Sequence, residues 1–185
     1  MVVVQTQIQV PRAAQIQLVP FSELAPGDVG AIRNGIIRKM VAMAVQSLKL
    51  PEDQVVVRDI RAKDDLDYTY EDWRETTGST ADAYETMTTG TMGDQRWVGI
   101  FGVKADADSF ACSAIKFNVG GGDRAIWQLQ ALKPQDDMVG FCPSGVIIPQ
   151  RTPYTISRFV RSVSSSCLLV LKGVVVEKRG KVVSP

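Results

Sequence analysis

Apolar and polar residues change their spacing along this chain. Over residues 2–19 the spacing is two. Thr6, Ile8 and Val10 alternate with Gln5, Gln7 and Gln9, and after Pro11, Ile16 and Leu18 alternate with Gln15 and Gln17. Period two with glutamine on one side predicts a half-buried strand. Over residues 29–48 the spacing becomes three and four, through Val29, Ile32, Ile36, Met40, Met43 and Ser47, with Arg33, Asn34, Arg38 and Lys39 mostly on the other side. That pattern predicts an amphipathic helix. Pro26-Gly27-Asp28 leads into it with Asp28 as the expected N-cap, and Pro51 stops it. Gly30 and Gly35 each weaken it by about 0.5–1 kcal/mol relative to Ala, so the helix needs a surface to pack on. Met40 and Met43 read as core filler for that surface.

Beyond Pro51 the pattern turns to strand. Residues 54–60 are rich in β-branched side chains, and residues 63–94 form a long polar, threonine-rich stretch carrying Tyr68, Tyr70, Trp73 and Tyr84. Such a stretch reads as an interaction loop, since its backbone needs solvent or a partner. Short strands follow at 96–104, 109–119, 124–132, 138–142, 145–149, 154–163, 167–177 and 181–183, separated by Gly, Pro, Asp and Ser clusters. Gly120-Gly121-Gly122 is expected to be a hairpin turn with positive φ, and Pro149 and Pro153 belong at strand ends. The expected fold is mainly β: a jelly-roll-like β-sandwich with an extended arm at 1–20 and a single domain at 21–185 that carries the helix. Trp97, Phe117, Trp127 and Leu169 are expected to point inward between the sheets.

Composition narrows the function. The chain has 185 residues, 45% hydrophobic and 22% charged, with a net charge of +1. Near-neutrality without basic clusters argues against a general nucleic-acid surface. No apolar run approaches the ~20 residues of a membrane span, and Met1–Val10 lacks the basic start of a signal peptide. Cys112, Cys142 and Cys167 are too few and too scattered for a disulfide framework and read as small core residues, which suits synthesis in a reducing cytoplasm.

Catalytic chemistry finds little to work with. The chain contains no histidine, which removes Ser-His-Asp and Cys-His systems and every His-dependent metal site. Asp64, Asp65 and Asp67, with Glu71 and Asp72, could offer oxygens to a hard cation, but they lack the spacing and the glycine of a calcium loop, so a solvated acidic segment is the better reading. Trp97, Phe101, Phe110, Phe117 and Trp127 lack the interleaved cations of a base-stacking platform and read as core. The expectation is a non-enzyme with no catalytic residue, no cofactor and no metal.

Interaction is what remains. The arm's eight larger aliphatic residues are worth roughly 1.5–3 kcal/mol each if buried. Ordering the arm's backbone costs roughly 1–2 kcal/mol per residue, so it needs a sheet edge to pair with, either in the same chain or in a neighbour. If the edge is a neighbour's, Gln5, Gln7, Ile8, Gln9 and Val10 are interface residues, and they are the candidates here, with Trp73 and Tyr84 as anchors in the polar stretch.

A glutamine- and valine-rich arm followed by short strands with a long polar insertion resembles the small jelly-roll capsid and cement proteins of icosahedral viruses and phages. The stretch Ile147-Ile148-Pro149, Tyr154-Thr155-Ile156 and Leu169–Glu177 is similar to the last strands of such a sandwich. The resemblance implies a structural subunit of a virion, made in the host cytoplasm, whose partners are copies of itself and other virion proteins, with no specific nucleic acid. It carries no site residue with it. A carbohydrate- or protein-binding β-sandwich is the alternative.

Overall fold

The segment with helical spacing folds as α1, Asp28–Leu48, with Ile36, Met40 and Ala44 buried along one side. The computed structural model describes residues 14–106, 111–134 and 138–180. The N-cap of α1 is Gly27, in the left-handed region at φ 95°, and not Asp28. Asp28 is the first helical residue, and its carboxylate accepts the Ala25 N–H at 2.8 Å, closing the turn before the helix.

The described residues also form eleven strands: β1 Ala14–Gln17, β2 Val19–Pro20, β3 Val55–Asp59, β4 Arg74–Thr76, β5 Ala83–Thr91, β6 Arg96–Ala105, β7 Cys112–Val119, β8 Gly122–Gln128, β9 Val139–Ile148, β10 Pro153–Val160 and β11 Ser166–Lys178. One sheet has the order β1-β8-β7-β10-β5 and the other β2-β9-β6-β11-β3, with β4 also pairing with β11. From β3 onward the chain passes repeatedly between the sheets, with only β7 and β8 adjacent as a hairpin, and this is a jelly-roll-like order. Gly120 and Gly121 turn that hairpin with φ of 67° and 79°, as expected. Pro153 opens β10 and Pro149 follows β9, also as expected.

Two cores result. Between the sheets lie Ile115, Phe117, Trp127, Val98, Ile100, Leu169, Leu171 and Val175, with the Phe117 and Trp127 rings 4.6 Å apart. Outside the second sheet, Trp97, Phe101, Val174 and Val176 pack against Ile36, Met40 and Ala44 of α1. Trp97 thus corrects the expectation: it faces the helix, while Phe117, Trp127 and Leu169 lie between the sheets. Gly99 is what lets α1 come so close. A Cβ there would sit 2.5 Å from Ile36 Cγ2 and 2.9 Å from the Met40 sulfur.

The stretch at 63–94 is not a solvated loop. It contains the short helix α2, Ala62–Leu66, then β4, and then β5, which pairs along its length with β10. β5 pairs on one side with β10 and forms an edge of the first sheet. The two short strands expected at 138–142 and 145–149 are one strand, β9, with an irregular register opposite β6 near its middle.

The described end of the arm also belongs to the chain's own sheets. β1 runs parallel to β8, Ala14 opposite Ala125, and β2 pairs with β9, Val19 opposite Phe141. Leu18, between them, is 1% exposed. One short segment therefore stitches an edge of each sheet. Gln5, Gln7, Ile8, Gln9 and Val10, and the strand expected at 181–183, lie outside the described residues.

Candidate assembly surface

Because β-strand side chains alternate, each sheet has an inner and an outer face, and the two outer faces here differ in cover. The second sheet is covered by α1. Among the described residues no helix lies on the first, and its outward residues come from all five strands: Gln15 and Gln17 of β1, Tyr84, Thr86 and Thr89 of β5, Thr155, Ser157 and Phe159 of β10, Ala114, Lys116 and Asn118 of β7, and Ile126 and Gln128 of β8. Most are small or polar. Thr89 and Thr155 meet across strands at 2.9 Å, and the Thr89 hydroxyl also donates to the Tyr154 carbonyl at 3.1 Å.

Aromatic and cationic side chains gather at one end of this face. Tyr84, 40% exposed, meets Phe159 edge-on with centroids 5.1 Å apart. Lys116 Nζ lies 4.3 Å above the Tyr84 ring, and the Arg161 guanidinium lies 5.0 Å from the Phe159 ring while pairing with Asp82 at 2.6 Å. Partial burial, and behind it the Asp123 carboxylate, raises the Tyr84 hydroxyl above its ordinary value, so it stays a neutral donor. Of the expected anchors, Tyr84 is therefore at the surface. Phe159 was missed, because Arg158 beside it is the inward residue and breaks the apolar alternation of Tyr154, Ile156 and Val160.

Trp73 is elsewhere. It is 7% exposed, packs in the inter-sheet cluster with its ring 5.0 Å from Tyr68, and has φ of 61°. A bulky residue in the left-handed region is held there by its packing. The expectation of an exposed loop anchor at Trp73 is corrected: the residue is enclosed by its own chain.

The acidic segment is also accounted for internally. Asp65 is gripped by Arg58 at 2.6 and 2.7 Å, by Arg96 at 3.4 Å and by the Arg61 N–H at 2.7 Å. Both arginines also hold Glu177 at 2.9 Å, a residue that is fully buried. This network ties α2 to β3, β6 and β11, and it holds Arg58 above its ordinary value, chiefly through Asp65. Asp64 pairs with Arg61 at 3.4 Å, and Asp67 faces the Tyr154 hydroxyl at 3.5 Å. Among the described residues no cluster of three or more acidic, His or Cys side chains is arranged to hold a metal ion. No helix among them is long and apolar enough to cross a membrane.

A second buried ionic group sits inside the sandwich. Arg158, 2% exposed, pairs with Glu75 at 3.0 Å and Glu85 at 3.1 Å and donates to the Thr76 carbonyl at 3.1 Å. Burial raises Glu75 above the ordinary carboxylate value, Arg158 opposing it. These contacts fasten β4 and β5 to β10. The same burial pushes the neighbouring Tyr68 hydroxyl far up. Comparison with protein-family models, with curated proteins and with solved structures returns no match.

Proposed function

We propose that the chain is a structural subunit of a viral particle, associating with copies of itself and with other virion proteins through the bare outer face of the first sheet, without catalysis. The observation that carries this reading is the unequal cover of the two sheets among the described residues. One outer face is buried under the chain's own helix, while the other offers small β-branched and amide side chains around the Tyr84–Phe159 pair. Such a face suits flat packing against like subunits, and an aromatic pair beside cations is the composition of an interface anchor. The jelly-roll-like order supports the virion setting at the level of fold alone.

The alternative of a carbohydrate- or protein-binding module has a place to act in the groove of about 520 Å³ lined by Arg61, Lys63, Asp64, Glu71 and Trp73. Trp73 is too enclosed to give a sugar a free ring face to stack on, so assembly is preferred. The test is light scattering and electron microscopy of the purified chain over a range of concentrations. Closed particles or defined oligomers that Tyr84→Ala with Phe159→Ala disperses support the reading. A monomer at every concentration, unchanged by the double substitution, overturns it.

A further inference from the structure

Cys112 opens β7 in one sheet and Cys167 lies near the start of β11 in the other, yet their sulfurs are 3.4 Å apart across the core. Each thiol is 1% exposed. We infer that Cys112 and Cys167 form a redox-active dithiol that closes to an inter-sheet disulfide when the protein meets a small-molecule disulfide such as oxidised glutathione. Two facts beyond proximity favour this chemistry. The thiols share a hydrogen bond, and the Arg158 guanidinium stands close enough to stabilise charge on sulfur. Together these draw Cys112 below the ordinary thiol value, while the same hydrogen bond and burial raise Cys167. The hydrogen-bonded pair supplies one attacking thiolate and one resolving thiol.

The exchange balances in two steps. One thiolate of the pair attacks one sulfur of glutathione disulfide, forming a mixed disulfide and expelling one glutathione thiolate, which takes up a proton. The other thiol gives up its proton to that leaving group or to water and attacks the protein sulfur of the mixed disulfide, expelling the second glutathione. The protein dithiol is oxidised to a disulfide, and one glutathione disulfide is reduced to two thiols.

Access runs through β4. This strand has three residues, and Glu75 pairs with Cys167 in its register. Just past its end, Thr77 is held by the Ser162 and Ser165 carbonyls. Opening β4 breaks the Glu75–Arg158 pair and the Thr77 bonds but leaves the other strand pairings of both sheets in place, so this local opening sets the oxidation rate without global unfolding. The resulting bond joins the sheets directly. Chain made under reducing conditions is thereby stapled once it enters an oxidising one.

Incubating the folded full-length chain with oxidised glutathione tests this. We expect the intact mass to fall by two hydrogens, a peptide map to join Cys112 to Cys167, and the melting temperature to rise by about 10 °C, all reversed by dithiothreitol. Cys142→Ala should behave like the parent chain, and Cys112→Ala and Cys167→Ala should show no gain. If those two variants fold poorly, the peptide map of the parent chain decides alone. A stable glutathione adduct on either residue, a link that involves Cys142, or no oxidation of the folded chain overturns the inference.

Discussion

The two sheets of this sandwich share an inner core and differ on the outside. On the helix-covered sheet, both faces of β6 and β11 are buried, and Trp97, Phe101, Val174 and Val176 gain as much cover from α1 as their inward neighbours gain from the other sheet. On the bare sheet, the residues that alternate with Ile115, Phe117 and Ile156 are Lys116, Asn118 and Thr155. The contrast separates what a residue does for the fold from what it offers to others. A large aromatic on the covered side is structural, and one on the bare side is available.

The largest expected effect tests the covered side. Trp97→Ala should cost about 3–5 kcal/mol in urea unfolding, the range for a buried aromatic, whereas Phe159→Ala on the bare side should cost about 1 kcal/mol or less. Equal costs would erase the distinction between the faces. Leu18, which closes the sandwich at the arm, should lose about 2–5 kcal/mol on Leu18→Ala. Removing residues 1–20 should lower the melting temperature further, because β1 and β2 leave with Leu18. A truncated chain that melts like the parent would show that the sheet edges need no stitching.

A smaller, pH-dependent effect concerns the inner side of the bare sheet, where Glu75 pairs with Arg158. Burial raises Glu75 in the folded state, so the folded chain keeps a proton that the unfolded chain has already lost. By linkage this contribution favours the folded state at low pH, and stability falls as pH rises from the ordinary value of 4.5 toward the raised one. Glu75→Gln cannot titrate, so urea midpoints measured between about pH 4 and about pH 7 should show a shallower fall for the variant. A steeper fall would place the proton elsewhere. The smallest effect on stability belongs to Tyr84→Ala, within about 1 kcal/mol for the isolated chain, with association weakened by about 2 kcal/mol or more. Sedimentation beside thermal melting separates the two numbers. A large loss of melting temperature with intact association would move Tyr84 into the structural class.

These contrasts also explain which parts of the molecule could be read from the chain. The helix was legible because its apolar positions keep one spacing and Pro51 ends it. The strands after residue 95 were legible because glycine, proline and serine clusters separate them. Trp97 was assigned to the wrong face because a strand buried on both sides reads as an unbroken apolar run, from Trp97 to Val103, with no polar residue to mark a face. β5 was read as loop for the opposite reason. Its inward positions include Glu85 and Thr88, and polarity there reflects internal partners, Arg158 and the Leu66 carbonyl, and not solvent. Tyr84 was found as a surface aromatic in a polar segment. The dithiol was not, since only the crossing of two sheets brings together residues this far apart in the chain.

The stitch made by residues 14–20 has a consequence for the order of events during synthesis. β1 and β2 leave the ribosome before the other described strands, but their partners are β8 and β9, which include residues 122–128 and 139–148. Both pairings close loops of more than a hundred residues, and one is parallel, so neither forms until most of the chain has emerged and both are slow. Until then the outer edges of β8 and β9 are open to whatever strand is near, including the same segment of another nascent chain. Residues 14–20 thus wait for segments made more than a hundred residues later before they can be placed, and crowding during that wait favours misplaced pairing.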